Sequence, residues 1–201
     1  MLERRSALAD ALSKGGQSGS GEKRGLRLGE VRGWTLVQAA GFGASLAEFE
    51  TAVGASLGVP ALPARIGEVA EAGSRRIFRT GPDQFWITAP DSDPLAVRLG
   101  QAVSSAMGSI TPLSHSRTRI FIEGPAAAEV LATGIPLDFH PVAFKVGHFA
   151  LTGLHHTPVL VHRIGETRYE IYAMRTFALS VWECLADAAL PYGYEVEARA
   201  D

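Results

Sequence analysis

The 201-residue chain predicts an α+β protein of two pseudo-repeated, ferredoxin-like (split βαβ) halves packed as one body. Three observations lead there. The same layout of strand, helix, irregular segment, hairpin and helix is written twice, with matching elements 82, 83, 84 and 84 positions apart, which is the mark of a duplication. The closing helices share one apolar stripe. Leu95, Leu99, Ala102, Val103 and Ala106 fall at i, i+4, i+7, i+8 and i+11, as do Phe177, Val181, Cys184, Leu185 and Ala188. Composition supplies the third: 46% hydrophobic and 20% charged residues can bury a sizeable core and exclude a chain disordered over most of its length.

Residues 1–25 read as a flexible N-terminal arm. Arg4, Arg5, Lys14, Lys23 and Arg24 surround a Gly/Ser-rich run from Gly15 to Gly21, which is linker composition. No apolar stretch follows the charges, so the arm is not a secretory signal. A short helix fits Arg5 to Leu12, with Leu8 and Leu12 on one face. The arm either frays as a tail or orders against another subunit.

The first α+β half is assigned to residues 26–110. Trp34 to Gly41 reads as a strand and Ala44 to Leu57 as an apolar-periodic helix, with Ser45 and Glu48 spaced as a capping box. Arg76 to Thr80 and Gln84 to Ala89 read as strands around the turn Gly81-Pro82-Asp83. Asp93 before Pro94 is a helix N-cap followed by the favoured first helical residue. The second half is assigned to residues 111–201. Arg117 to Gly124 reads as a strand, Pro125 opens a helix through Thr133, and Gly134 can close it with a left-handed residue. Leu160 to Ile164 and Arg168 to Ala173 repeat the hairpin. Tyr169, Ile171 and Ala173 alternate with Arg168, Glu170 and Tyr172, as Thr118, Ile120 and Ile122 do with Arg117, Arg119 and Glu123. That is the pattern of half-buried strands.

Several function classes are excluded. Nineteen basic against 21 acidic residues give a formal charge of −2, with no field to draw nucleic acid or an anionic membrane. One cysteine excludes a disulfide framework and, without an export signal, points to the cytoplasm. No apolar run is long enough to cross a bilayer.

Little chemistry is legible in the residues. All six histidines, His115, His140, His148, His155, His156 and His162, lie within one stretch. They show no metal-ligand spacing, and read as polar loop residues or as a histidine-rich interface. Cys184 lies on the buried stripe and reads as a small hydrophobe. Gly41-Phe42-Gly43 lacks the third glycine and the acidic residue of a dinucleotide fingerprint. Ser114-His115-Ser116 places no third group to orient a base. Arg117 and Arg119 share a strand face with Glu123. That row could grip a carboxylate or phosphate, bind acidic residues of a neighbouring chain, or face solvent. Phe42, Phe139, Phe144 and Phe149 lie in predicted loops and are either partner anchors or core plugs.

A resemblance adds what the residues alone do not. Leu113-Ser114-His115-Ser116-Arg117-Thr118-Arg119, Gly124-Pro125, Ile135-Pro136-Leu137-Asp138-Phe139-His140-Pro141, Phe177-Ala178-Leu179-Ser180-Val181-Trp182-Glu183 and Gly193-Tyr194-Glu195-Val196 occur in this order. In order and spacing they resemble the gamma subunits of heterotetrameric sarcosine oxidases. Thr80-Gly81-Pro82-Asp83-Gln84-Phe85-Trp86 resembles the family's glycine-proline-aspartate segment, with Gln84-Phe85 in place of its usual Glu-Trp. Arg5-Ser6-Ala7-Leu8-Ala9 is similar to the family's N-terminal arm.

The resemblance implies an accessory, non-catalytic subunit, with alpha, beta and delta subunits as partners. The complex would oxidatively demethylate sarcosine or a related N-methyl amine, with transfer of the one-carbon unit to tetrahydrofolate. FAD, FMN, NAD, tetrahydrofolate and zinc would belong to the partner subunits, and none to this chain. The implied fold is similar to the aminomethyltransferase folate-binding domain, itself duplicated. Folate-dependent relatives acting in iron-sulfur assembly carry a Lys-Gly-Cys motif. The corresponding Lys145-Val146-Gly147-His148 lacks the cysteine, so no catalytic, cofactor-binding or metal residue is assigned. The alternative is a stand-alone folate-binding or aminomethyltransferase-like protein.

Overall fold

A computed structural model describes residues 5–15 and 25–200. In chain order the elements are α1 (Ala9–Leu12), β1 (Leu26–Arg32), β2 (Trp34–Gly41), α2 (Leu46–Leu57), β3 (Val69–Ala72), β4 (Arg75–Arg79), β5 (Gln84–Pro90), α3 (Leu95–Ala102) and β6 (Gly108–Pro112). There follow β7 (Arg117–Glu123), α4 (Ala127–Ala132), β8 (Phe149–Leu154), β9 (Thr157–Arg163), β10 (Arg168–Met174), α5 (Ala178–Ala189) and β11 (Tyr194–Ala200). Single 3-10 turns, Gly43–Ser45 and Arg175–Phe177, lead into α2 and α5.

The inserted unit spans Gly33–His115. Its sheet runs β3-β4-β5-β2-β6, with every pair antiparallel. Without β3 this is the split βαβ order, in which the fourth strand pairs with the first. One face packs on α2 and α3 through Val37, Phe49, Val53, Phe85, Ile87, Leu95 and Leu99. Helix α2 stops at Gly58, whose φ of 72° allows the amide of Val59 to reach the carbonyl of Gly54 at 3.0 Å. This is a Schellman closure, which glycine adopts without steric cost.

The split unit consists of the described residues up to Arg32 together with Ser116–Ala200. Its sheet runs β11-β1-β7-β10-β9-β8. The repeat predicts β11 beside β7, as β6 lies beside β2. Instead β1 occupies that slot, antiparallel to β7, and β11 is displaced outward to pair with β1 in parallel. Gly29 makes the insertion possible. A Cβ there would lie 2.7 Å from the ring of Phe121 and overlap the carbonyl of Glu197. The sheet's helix-facing core includes Leu28, Ile120, Ile122, Tyr169, Ile171, Val181 and Leu185.

These units differ from the halves read as 26–110 and 111–201. Strand β1 lies in the second half's sheet, and Thr111 to His115 complete the inserted unit. The arm also differs from expectation. Residues 16–24, with most of the Gly/Ser-rich run, lie outside the described residues. Residues 5–12 are described and lie against the split unit. They dock on their own chain, with Leu8 fully buried in the split-unit core and Ala7, Ala11 and Leu12 packed beside it.

Three helix-end readings are corrected. The 3-10 turn before α2 leaves Ser45 at φ −101° and ψ 11°, away from the extended geometry of a capping residue, and its side chain makes no cap bond. Asp93 does not cap α3 because its carboxylate is taken by Arg75 at 2.7 Å and Arg98 at 2.6 Å. Gly134 is absent from the left-handed glycines. It is small because a Cβ would meet Leu154 at 2.8 Å. Strands β3 and β8 fall where an irregular segment was expected, and each pairs at the outer edge of a hairpin.

Candidate functional site

The densest buried charge in the described residues lies on β7 and β10 of the split unit. Arg119 and Glu170 are each 1% exposed or less. Arg119 Nε and Nη2 donate to the two carboxylate oxygens of Glu170 at 2.9 and 2.8 Å. The Tyr172 hydroxyl donates to the same carboxylate at 3.1 Å, and its ring lies under the guanidinium at 5.6 Å. The register places Tyr172 opposite Arg119, and His162 of β9, also buried, opposite Glu170. Strand alternation puts these four side chains on the face opposite Ile120 and Ile171. The half-buried reading of β7 and β10 is therefore overturned. Their polar face is buried as well, because its charges are paired within it.

The pairing decides what the arginine row can do. Arg119 is committed to Glu170 in a fork geometry that uses two of its donors, so it is not open to an incoming anion. Glu123 receives Arg27 at 2.8 Å and Arg168 at 3.8 Å. Arg117 bonds to Ser116, and burial lowers its pKa. The row is a structural network of the sheet rather than a carboxylate or phosphate grip.

A second arginine arrangement occurs twice, once in each unit. Arg79, at the end of β4, donates to the carbonyls of Pro63 and Pro82 and lies over Phe85 at 4.9 Å. Arg163, at the end of β9, donates to the carbonyls of Phe144 at 2.6 Å, Glu166 at 2.8 Å and Gly165 at 3.3 Å. It lies over Tyr169 at 5.5 Å. Burial raises the pKa of Tyr169, and the guanidinium opposes that shift in part. Each arginine ties its hairpin turn to the loop before the outer strand. The signal was present in the sequence as Arg79-Thr80-Gly81-Pro82-Asp83-Gln84-Phe85 against Arg163-Ile164-Gly165-Glu166-Thr167-Arg168-Tyr169. Arginine, glycine and aromatic residue recur there at one spacing.

The remaining candidates are structural. Ser114 Oγ lies 2.7 Å from Thr35 Oγ1 and accepts from the amide of Leu36 at 3.0 Å, while His115 is exposed. Gly41 is small because a Cβ would lie 2.7 Å from the Phe49 ring. It admits the helix, not a phosphate. The histidines are dispersed. His140 is exposed on a loop, and His155 holds a left-handed φ of 49° in the β8–β9 turn beside exposed His156. Among the described residues no three His, Cys, Asp or Glu side chains gather as a metal site. Cys184 is partly buried beside the split-unit core.

Three of the four loop aromatics are core plugs. Phe139 and Phe144 pack with Tyr169 at centroid distances of 5.6 and 6.5 Å, and Phe149 is 4% exposed. Phe42 alone is open, at 49% exposed. Sequence reading missed the exposed apolar side chains Met174, Phe177 and Leu179 at the β10–α5 junction. The apolar spacing puts Phe177 on the buried stripe, but it belongs to the 3-10 turn, which rotates it out of register with the helix.

Comparisons with known proteins agree on one family. The model for the GCVT N-terminal domain matches residues 75–199. The chain is 33% identical to the sarcosine oxidase subunit gamma of Corynebacterium sp. (strain P-1), over 94% of this chain and 89% of that one. It is 33% identical to that of Arthrobacter sp. over 90% of this chain and 86% of the relative. Among solved structures it matches the heterotetrameric sarcosine oxidase from Corynebacterium sp. U-96 in complex with pyrrole 2-carboxylate. That match has a TM-score of 0.85 and 32% identity, covering 94% of this chain and 96% of the other. The glycine cleavage system aminomethyltransferase T from Bartonella henselae shares the fold, with a TM-score of 0.62 and 18% identity. It covers 88% of this chain and 48% of that protein.

Proposed function

The chain belongs to the family of sarcosine oxidase gamma subunits, and on that premise we propose that it is the accessory, non-catalytic gamma subunit of a multi-subunit flavoenzyme. The assembly oxidatively demethylates sarcosine or a related N-methyl amine. It passes the one-carbon unit to tetrahydrofolate. The observation that carries this reading is the end-to-end match to gamma subunits, over 94% of this chain and 89% of the relative. Its partners are alpha, beta and delta subunits of the complex, which hold FAD, FMN, NAD, tetrahydrofolate and zinc. No helix among the described residues is long and apolar enough to cross a membrane. A cytoplasmic location is part of the proposal, and the lone cysteine supports it.

The arrangement of polar groups supports a supporting role. Arg119, Glu170, Arg79, Arg163 and Ser114 each spend their donors or acceptors on the chain's own strands and turns.

The alternative, a stand-alone folate-binding protein, is favoured by the GCVT N-terminal domain match over residues 75–199. The two readings separate on the isolated chain. An accessory subunit purified alone is colourless, does not oxidise sarcosine, and gives a flat calorimetric titration with tetrahydrofolate. Saturable folate binding by the isolated chain would favour the alternative.

A further inference from the structure

We propose that residues 5–12 form a releasable strap, held on the split unit by buried Leu8 with Ala7, Ala11 and Leu12 packed beside it, whose departure uncovers a groove in that unit's core. The anchor is Leu8, fully buried in the cluster that also holds Leu26, Leu28, Trp182 and Tyr194. The strap's helix, α1, has four residues and lies against β11. One turn has no stability of its own, so it persists through docking alone.

Three hydrogen bonds fix the strap's path. Ser6 Oγ donates to Glu30 at 2.6 Å and accepts from the amide of Leu8 at 2.9 Å, which turns the chain so that Leu8 points inward. Arg175 Nη2 donates to the carbonyl of Arg5 at 2.6 Å. On release, Glu30 keeps Arg32 at 2.7 Å, so undocking strands no carboxylate. The contact between Arg5 and Asp10 is exposed and internal to the strap. At the far end, Gly15 takes a φ of 74° with nothing within 4 Å of a built Cβ. The strap thus ends in an unencumbered turn, followed by the glycine- and serine-rich residues Gly16 to Gly21.

The test cuts the folded, full-length chain rather than a truncated one. A specific protease site is inserted between Gly16 and Gly21, the purified chain is cleaved, and a fluorescent peptide of residues 1–15 is added. The strap predicts that the cleaved segment exchanges with the peptide. Removing it by dilution and gel filtration lowers the melting temperature by about 5–15 °C, the effect of losing one buried leucine. Excess peptide restores the loss. A peptide carrying Leu8→Ala binds about 30-fold or more weakly. In the uncut chain, Leu8→Ala lowers the melting temperature with an unchanged circular dichroism spectrum. Either of two results overturns the proposal: the cleaved segment never exchanges with labelled peptide, or it leaves without changing the melting temperature and does not rebind.

Discussion

Replacing Arg119 by methionine tests whether the buried pair on β7 and β10 is maintained by mutual compensation. The substitution keeps most of the side-chain volume and removes the charge. It leaves the Glu170 carboxylate fully buried, with the Tyr172 hydroxyl still donating to it. Breaking a buried pair from one side costs about 3–5 kcal/mol, because the stranded charge keeps its desolvation penalty. For a chain of this size that is a drop in melting temperature of roughly 6–20 °C. Glu170→Met strands the guanidinium and belongs in the same range. Replacing both removes both stranded charges. The losses that remain include the Tyr172 phenol's acceptor, about 1 kcal/mol, and the cation–π contact, about 0.5–1 kcal/mol. The double variant is therefore expected within about 2 kcal/mol of the parent, far above the sum of the singles. Urea denaturation of the four proteins in the cycle measures this. Singles costing under about 1 kcal/mol, or a double equal to their sum, would refute the compensation argument.

Arg163→Ala should cost about 2–3 kcal/mol, since it frees the carbonyls of Phe144, Gly165 and Glu166 together. Hydrogen exchange should rise around residues 144–148 while β7 stays protected, and uniform exchange across the unit would contradict a local tie. Gly29→Ala should disrupt the β1–β11 pairing and strongly destabilise the split unit, because its Cβ falls on the Glu197 carbonyl and the Phe121 ring. Soluble variant with wild-type stability would show that the inserted strand is misplaced. In alkali, burial raises the pKa of Tyr169, and burial with the Asp187 charge raises that of Tyr194. The unfolded chain then ionises first. Their contribution is fully present below about pH 10, the unfolded value, and is lost as pH rises through the folded values. Tyr169→Phe should flatten this alkaline slope, and an unchanged slope would exclude the residue as its source.

The duplication was legible because strands and helices repeat their patterns locally. Hairpins at Arg75–Arg79 with Gln84–Pro90, and at Thr157–Arg163 with Arg168–Met174, follow from turn residues flanked by apolar runs. The place of β1 was not legible. Its residues Leu26 to Arg32 open the first half in sequence, and only a long-range pairing with β7 assigns them to the second. Register across some 90 residues leaves no local trace beyond a glycine at position 29. Burial of the Arg119–Glu170 face was hidden for a related reason. An alternating polar residue reads as exposed until its partner on the next strand is known. Leu8 was correctly placed on an apolar face, but a single leucine after a charged start does not reveal which core receives it.

As the gamma subunit of the proposed flavoenzyme assembly, this chain should be recovered together with its partner subunits. The most direct test is the mass and absorbance of the particle recovered with a tag on this chain at its native expression level. The expected particle is a heterotetramer with a flavin spectrum that is bleached on adding sarcosine or a related N-methyl amine. Recovery of the 201-residue chain alone, colourless and with no flavoprotein attached, would contradict it.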